Sequence, residues 1–150
     1  MNGKAAVDGF VAERTLAIVG VSRSGKGFGN VILRELSAKG YRMLPVHQEV
    51  PTIDEFRTSP SLAALPEKPG GVVVVVPPAR ALQVVREAHA AGITRVWLQQ
   101  GAGSPDAIRF CEEQGMSVVH GECLLMFADP TGFIHRAHRW VWNVIGKLPK

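Results

Sequence analysis

Three times in this chain, a stretch of helical character ends in glycine and runs at once into a short apolar strand. Ser37-Ala38-Lys39-Gly40 precedes residues 41–46, His89-Ala90-Ala91-Gly92 precedes 93–98, and Glu112-Glu113-Gln114-Gly115 precedes 116–119. Glycine just past a helix permits the left-handed turn that ends it. A strand entering so soon afterwards is the αβ loop of a βαβ unit. Two further strands complete the set. Thr15-Leu16-Ala17-Ile18-Val19 is apolar almost throughout, as a strand buried on both faces should be. Residues 72–76 are five consecutive valines, whose β-branching stiffens χ1 and favours strands.

The segments between these strands read as helices. Phe28, Val31, Ile32, Leu33 and Leu36 form an apolar face in the first, and Leu82, Val85 and Ala88 in the second. Ala107, Ile108 and Cys111 do so in the third, which opens at Ser104-Pro105-Asp106 with a capping serine and a proline at the first helical position. The order is β-α-β-(irregular)-β-α-β-α-β. Right-handed crossovers turn this into an α/β, Rossmann-like, doubly wound parallel sheet of five main strands in the spatial order 2-1-3-4-5. Strands one and three then wind away in opposite directions, opening the crevice where such sheets bind ligands. Residues 47–69 carry Pro51, Pro60, Pro66 and Pro69, so a connection with a short edge strand and a helical turn over 62–65 is expected there.

The 150 residues suit one domain, residues 1–150, with a leading helix in 1–14 and a basic C-terminal helix in 133–150. Hydrophobic residues are 46% and charged residues 20%, which excludes a disordered chain, collagen or a coiled coil. The longest apolar run, residues 70–79, is about half of what a membrane span requires. No cationic start leading into an apolar stretch marks a signal peptide, so a cytoplasmic location is expected. Two cysteines make no disulfide framework, and no Cys/His cluster has zinc spacing. The net charge of +4 and a pI near 9.4 suit an anionic ligand but fall short of a nucleic-acid signature.

That ligand has an evident seat. The first strand runs into Gly20-Val21-Ser22-Arg23-Ser24-Gly25-Lys26-Gly27-Phe28-Gly29. Glycines let backbone amides approach an anion, and the next helix adds its positive N-terminus. Ser22 and Ser24 supply hydroxyls; Arg23 and Lys26 supply charge. The loop nearly spells G-x-x-x-x-G-K-[ST], but Gly27 stands where the magnesium-binding hydroxyl belongs, and the valine strand ends in Pro77-Pro78 rather than a metal-holding Asp. Both departures argue against ATP hydrolysis. The dinucleotide fingerprint also fits poorly, because Gly20 is followed by Val21-Ser22, and the second strand ends at His47 rather than at an acid for a ribose hydroxyl. A 2′-phosphorylated ligand such as NADP tolerates His47 better, so an NAD(P)-dependent oxidoreductase or redox sensor remains the alternative.

Four short motifs sit in order at successive strand ends: residues 20–28, Val76-Pro77-Pro78-Ala79, Leu98-Gln99-Gln100-Gly101 and Gly121-Glu122-Cys123. Over residues 10–125 the chain resembles the CoA-binding domain family, the stand-alone relatives of the N-terminal domain of the succinyl-CoA synthetase alpha subunit. The resemblance implies that coenzyme A or an acyl-CoA lies across the carboxyl ends of the strands. It implies that Arg23, Ser24 and Gly25 sit at the phosphate-contacting loop; with Gly20, Ser22, Lys26, Gly27, Phe28 and His47 they make up the expected cofactor site at the ends of strands one and two. It also implies a proline wall at Pro77 and Pro78, and a fourth loop at Gln100 and Gly101. The synthetase domain places a lysine shortly after strand two, where this chain has His47 and no lysine until Lys68.

Chemistry beyond binding has thinner support. Cys123 lies near His120 and Glu122, a conceivable thiolate and base, but a cysteine in such a place is more often a small buried hydrophobe. The synthetase's phosphorylated histidine belongs to another domain, so CoA binding here implies no ligation, and a non-catalytic module is expected. His135, Arg136, His138 and Arg139, with Lys147 and Lys150, make the tail from 133 basic and free of acids, a surface for an acidic protein partner. No nucleic acid, membrane or metal is expected to bind.

Overall fold

The computed structural model describes residues 3–99 and 101–127. Helix α1 (Lys4–Ala12) leads into β1 (Thr15–Val19), α2 (Phe28–Ala38) and β2 (Arg42–Val46). A short antiparallel ribbon follows, β3 (Thr52–Ile53) with β4 (Phe56–Arg57), then a 3₁₀ turn at Leu62–Ala64. The second half runs β5 (Gly71–Val74), α3 (Pro78–Ala90), β6 (Arg95–Gln99), α4 (Pro105–Glu113) and β7 (Ser117–Glu122). The five long strands form one parallel sheet in the order β2-β1-β5-β6-β7, the doubly wound arrangement that the repeated helix-glycine-strand pattern predicts.

Alternation along each strand divides the interior into two layers. Leu16, Ile18, Val73 and Trp97 face α1 and α2, where Val7, Phe10, Ile32, Leu33 and Leu36 meet them. Ala17, Val72, Val74, Val96 and Leu98 face α3 and α4, against Ala81, Val85, Ala88, Ala107 and Cys111. Val72, Val73 and Val74 are fully buried, which places the valine run in the middle of the sheet. Ser104 caps α4 by accepting from the Ala107 amide at 3.0 Å, with Pro105 at the first helical position.

Three details differ from what the sequence predicts. Phe28 does not join the apolar face of α2; it is 51% exposed. It is the first residue of that helix, and a side chain there has no preceding turn to cover it. The irregular connection holds the β3–β4 ribbon rather than a single edge strand. Among the described residues only Ser59 pairs along the outer side of β2, as one parallel bridge to Val46. The basic stretch at 133–150, with the C-terminal helix expected there, lies outside the described residues, as does Gln100.

The single bridge has a physical cause. Residues 43, 45 and 47 of the β2 segment turn their backbone groups away from β1, since Arg42 donates inward to Arg14. Ser59 donates to the Pro45 carbonyl and accepts from the His47 amide, at 3.0 and 2.9 Å. The next outward donor along the strand would be the nitrogen of Pro45, which carries no hydrogen. The pairing therefore stops, and residues 57–66 bend away around a groove of about 550 Å³. Among the described residues, no helix is long and apolar enough to cross a membrane.

Candidate functional site

The carboxyl ends of β1 and β5 are in backbone contact where the two halves of the sheet diverge. Gly20 leaves β1 at φ 117°, and a Cβ there would sit 2.0 Å from the Val75 carbonyl oxygen. A Cβ on Gly29 would in turn sit 2.3 Å from the Gly20 oxygen, so α2 packs its first turn directly against the strand end. These two glycines bring the start of α2 to the crevice. Gly27 caps α2 without any side-chain hydrogen bond, so no capping side chain offsets the positive end of the helix.

Between them the loop is built by its own polar groups. Asn30, fully buried, accepts from the Ser22 amide at 2.7 Å and donates to the Ser22 carbonyl at 2.8 Å. The Gly25 amide bonds the Ser22 carbonyl at 3.1 Å, closing a turn with Gly25 at φ 78°. The Ser24 amide donates to Ser22 Oγ, the Lys26 amide donates to Ser24 Oγ, and the two hydroxyls lie 2.8 Å apart. Both serines thus hold the turn in shape as well as offering their oxygens to solvent. Arg23 and Lys26 are exposed, with no ion-pair partner among the described residues. From below, Arg34 of α2 donates to the Gly25 carbonyl at 3.0 Å and pairs with Asp54 of the ribbon at 3.1 Å.

Beside the loop runs a groove of about 480 Å³, lined by Gly20 and Val21, by Val46 to Glu49 after β2, by Pro60 and Ser61, and by Ala79, Arg80, Gln83 and Glu87 of α3. His47 Nδ1 accepts from the Glu49 and Val50 amides at 3.0 and 3.3 Å, so this ring organises the turn after β2. Pro77 caps α3, Pro78 opens it, and both are exposed at the end of the β5 segment. Gly101, at φ 95°, is exposed after β6. Of the residues expected from sequence, Gly20 and His47 share the groove. Residues 22–28 form the adjoining loop, and Pro77, Pro78 and Gly101 lie at neighbouring strand ends.

Sequence reasoning missed Asn30, Gly29, Arg34 and Gln99 as builders of this end of the sheet. Gln99 is buried; its side chain donates to Cys123 Sγ and accepts from the Leu124 amide, each at 3.0 Å, tying β6 to the segment after β7. That bond gives Cys123 a structural partner. Cys111, inside α4, has its thiol pushed up to about 11, by burial first and by the neighbouring Glu112 second. Among the described residues no group of three or more His, Cys, Asp or Glu could hold a metal ion. A cap-lacking helix start, an amide-rich turn and cations without an ion-pair partner among the described residues can, beside a groove, bind a phosphorylated ligand; among the same residues no nucleophile-base pair is assembled there.

The family model described as CoA binding domain matches residues 14–129. Among solved structures, a conserved hypothetical protein from Pyrococcus furiosus is 38% identical, with a TM-score of 0.71 over 75% of this chain and 97% of its own. A hypothetical protein from Pyrococcus horikoshii OT3 is 22% identical, with a TM-score of 0.76 over 91% and 90%. The dinucleotide-forming acetyl-coenzyme A synthetase 1 of Ca. Korarchaeum cryptofilum, in complex with phosphate and ADP, is 22% identical with a TM-score of 0.63. The match covers 71% of this chain and 25% of that one, and it shows a shared fold. No curated protein matches the chain.

Proposed function

The chain belongs to the CoA-binding domain family, and on that premise we propose that it binds coenzyme A or an acyl-CoA across the carboxyl ends of the strands, as a non-catalytic module. The observation that carries this is the juncture of Gly20, Gly29 and the uncapped start of α2, which puts backbone amides and exposed Arg23 and Lys26 at one crevice. In this reading the diphosphate sits at residues 22–28. The helix N-terminus and the guanidinium of Arg23 oppose its charge, with Lys26 as a more solvated second cation. The groove beside His47 receives the nucleoside end, and Pro77, Pro78 and Gly101 line the path of the pantetheine arm. Phe28, exposed beside the loop, offers an aromatic face to the same arm. The module presents or senses the thiol or its acyl ester and leaves the chemistry to another protein.

A thermal-shift panel of CoA, acetyl-CoA, NADH, NADPH and ATP on the full chain tests this. A ligand at a hundred times its dissociation constant contributes about 2.7 kcal/mol, a plainly visible shift. CoA or acetyl-CoA should give the largest one; a shift with NADH and none with CoA would overturn the reading in favour of a dinucleotide. His47→Asp keeps an acceptor for the turn amides while adding negative charge, so it should weaken CoA modestly without unfolding the chain.

A further inference from the structure

The groove beside the loop collects four titratable side chains from two elements: His47 and Glu49 after β2, Arg80 and Glu87 on α3. Glu87 accepts from Gln83 at 2.9 Å and lies seven residues beyond Arg80, about 10 Å further along the helix axis. His47 Nδ1 is committed to two backbone amides, so the neutral ring carries its hydrogen on Nε2 as a donor. The Arg80 guanidinium has neither an ion-pair nor a hydrogen-bond partner among the described residues. The groove thus holds a planar cation, a ring N–H and the first turn of α3, set against the carboxylates of Glu49 and, further along the helix, Glu87.

We propose that Arg80 determines specificity in this groove by donating to a phosphomonoester carried on the ligand's ribose. This rests on the CoA reading above: CoA bears a diphosphate and, separately, a ribose 3′-phosphate, and two anionic groups several bonds apart need two cationic sites. The Gly-Ser loop serves the first and Arg80 the second. A guanidinium suits this task because its fork meets two phosphate oxygens at once, whereas an ammonium acts as a point charge. Glu49 repels the same group, so the two neighbours must act in opposite directions on one ligand. The 2′-phosphate of NADP shares the chemistry and is separated from CoA by the experiment.

Calorimetric titration of the full chain with CoA, dephospho-CoA, NADPH and NADH, on wild type, Arg80→Gln, Arg80→Lys and Glu49→Gln, decides the matter. Wild type should bind CoA about tenfold or more tightly than dephospho-CoA, the scale of one charge-assisted bond. Arg80→Gln should remove that preference and leave dephospho-CoA binding as it was. Arg80→Lys should restore part of the preference. Glu49→Gln should tighten CoA about twofold, with dephospho-CoA unmoved. Arg80 and Glu49 are both exposed, so unchanged melting temperatures are the folding control. A wild type that binds CoA and dephospho-CoA equally, or an Arg80→Gln chain that loses both alike, would overturn the role of Arg80 and leave the CoA reading standing. A preference seen only between NADPH and NADH would keep Arg80 and overturn the CoA reading. Binding of none of the four would overturn both.

Discussion

Asn30 is the residue on which the shape of the phosphate loop depends. Buried, and bonded to both the amide and the carbonyl of Ser22, it fixes the point where the chain leaves the crevice. Asn30→Ala should cost about 1–3 kcal/mol in urea denaturation, since the Ser22 amide loses its acceptor and the Ser22 carbonyl keeps only the Gly25 amide. The outward residues of the loop should behave differently. Arg23→Ala should weaken CoA binding by about 1–3 kcal/mol with the fold intact, and Lys26→Ala by less, because a solvated ammonium is screened. Gly25→Val should do more harm than either: its φ of 78° strains any side chain, and the new Cβ would press on Asp54 at 3.3 Å. Titration calorimetry with circular dichroism ranks the three; equal affinities across the series would move the diphosphate elsewhere. The cysteines divide as sharply. Cys111, buried and with its thiol raised to about 11, should resist alkylation in the folded chain at pH 8, while half-exposed Cys123 reacts. Mass spectrometry should therefore count one adduct before denaturation and two after. A raised thiol also favours the folded state only while protonated, so this contribution is complete below about pH 9 and declines as pH rises towards 11.

At the level of elements, three of the long strands were legible because a helix-ending glycine announces each, and the other two, β1 and β5, because they are apolar runs fit to lie inside. Gly40, Gly92 and Gly115 all adopt positive φ, as that pattern requires. The ribbon of β3 and β4 was not legible. Strands of two residues have no period to detect, and their turn depends on Asp54 at φ 54° and on its pairing with Arg34 twenty residues away. The site was half legible for a similar reason. Glycines, serines and charges of the loop stand together in sequence, whereas Asn30 and Arg34 lie on the following helix and gain their roles only when α2 folds back. Phe28 misled because helical spacing says nothing about where a helix begins. The contact between α2 and β1 is the tightest of these joints. Gly29→Ala would set a methyl 2.3 Å from the Gly20 oxygen, and neither backbone can yield cheaply. The expected loss is about 2 kcal/mol or more of stability, together with CoA affinity, because the helix start must move away from the crevice. A melting temperature within one degree of wild type would show that α2 can shift without cost.

Across the whole molecule, the sheet has two rims, and the one formed by β2 is finished by a missing atom. Ser59 occupies one rung, and the absence of a hydrogen on Pro45 leaves the next one incomplete. An incoming strand from a second chain would find the residue-43 groups to bond and no donor beyond them. An open rim is a template for a second chain, so the incomplete rung predicts resistance to such pairing on the β2 side. Pro45→Val restores the donor. Heated to the same interval below its own midpoint, that variant should scatter light sooner than wild type, and identical scattering would mean the rim was never a route to association. On that expectation, what looks like a defect in the ladder raises the concentration this chain tolerates before its copies join edge to edge.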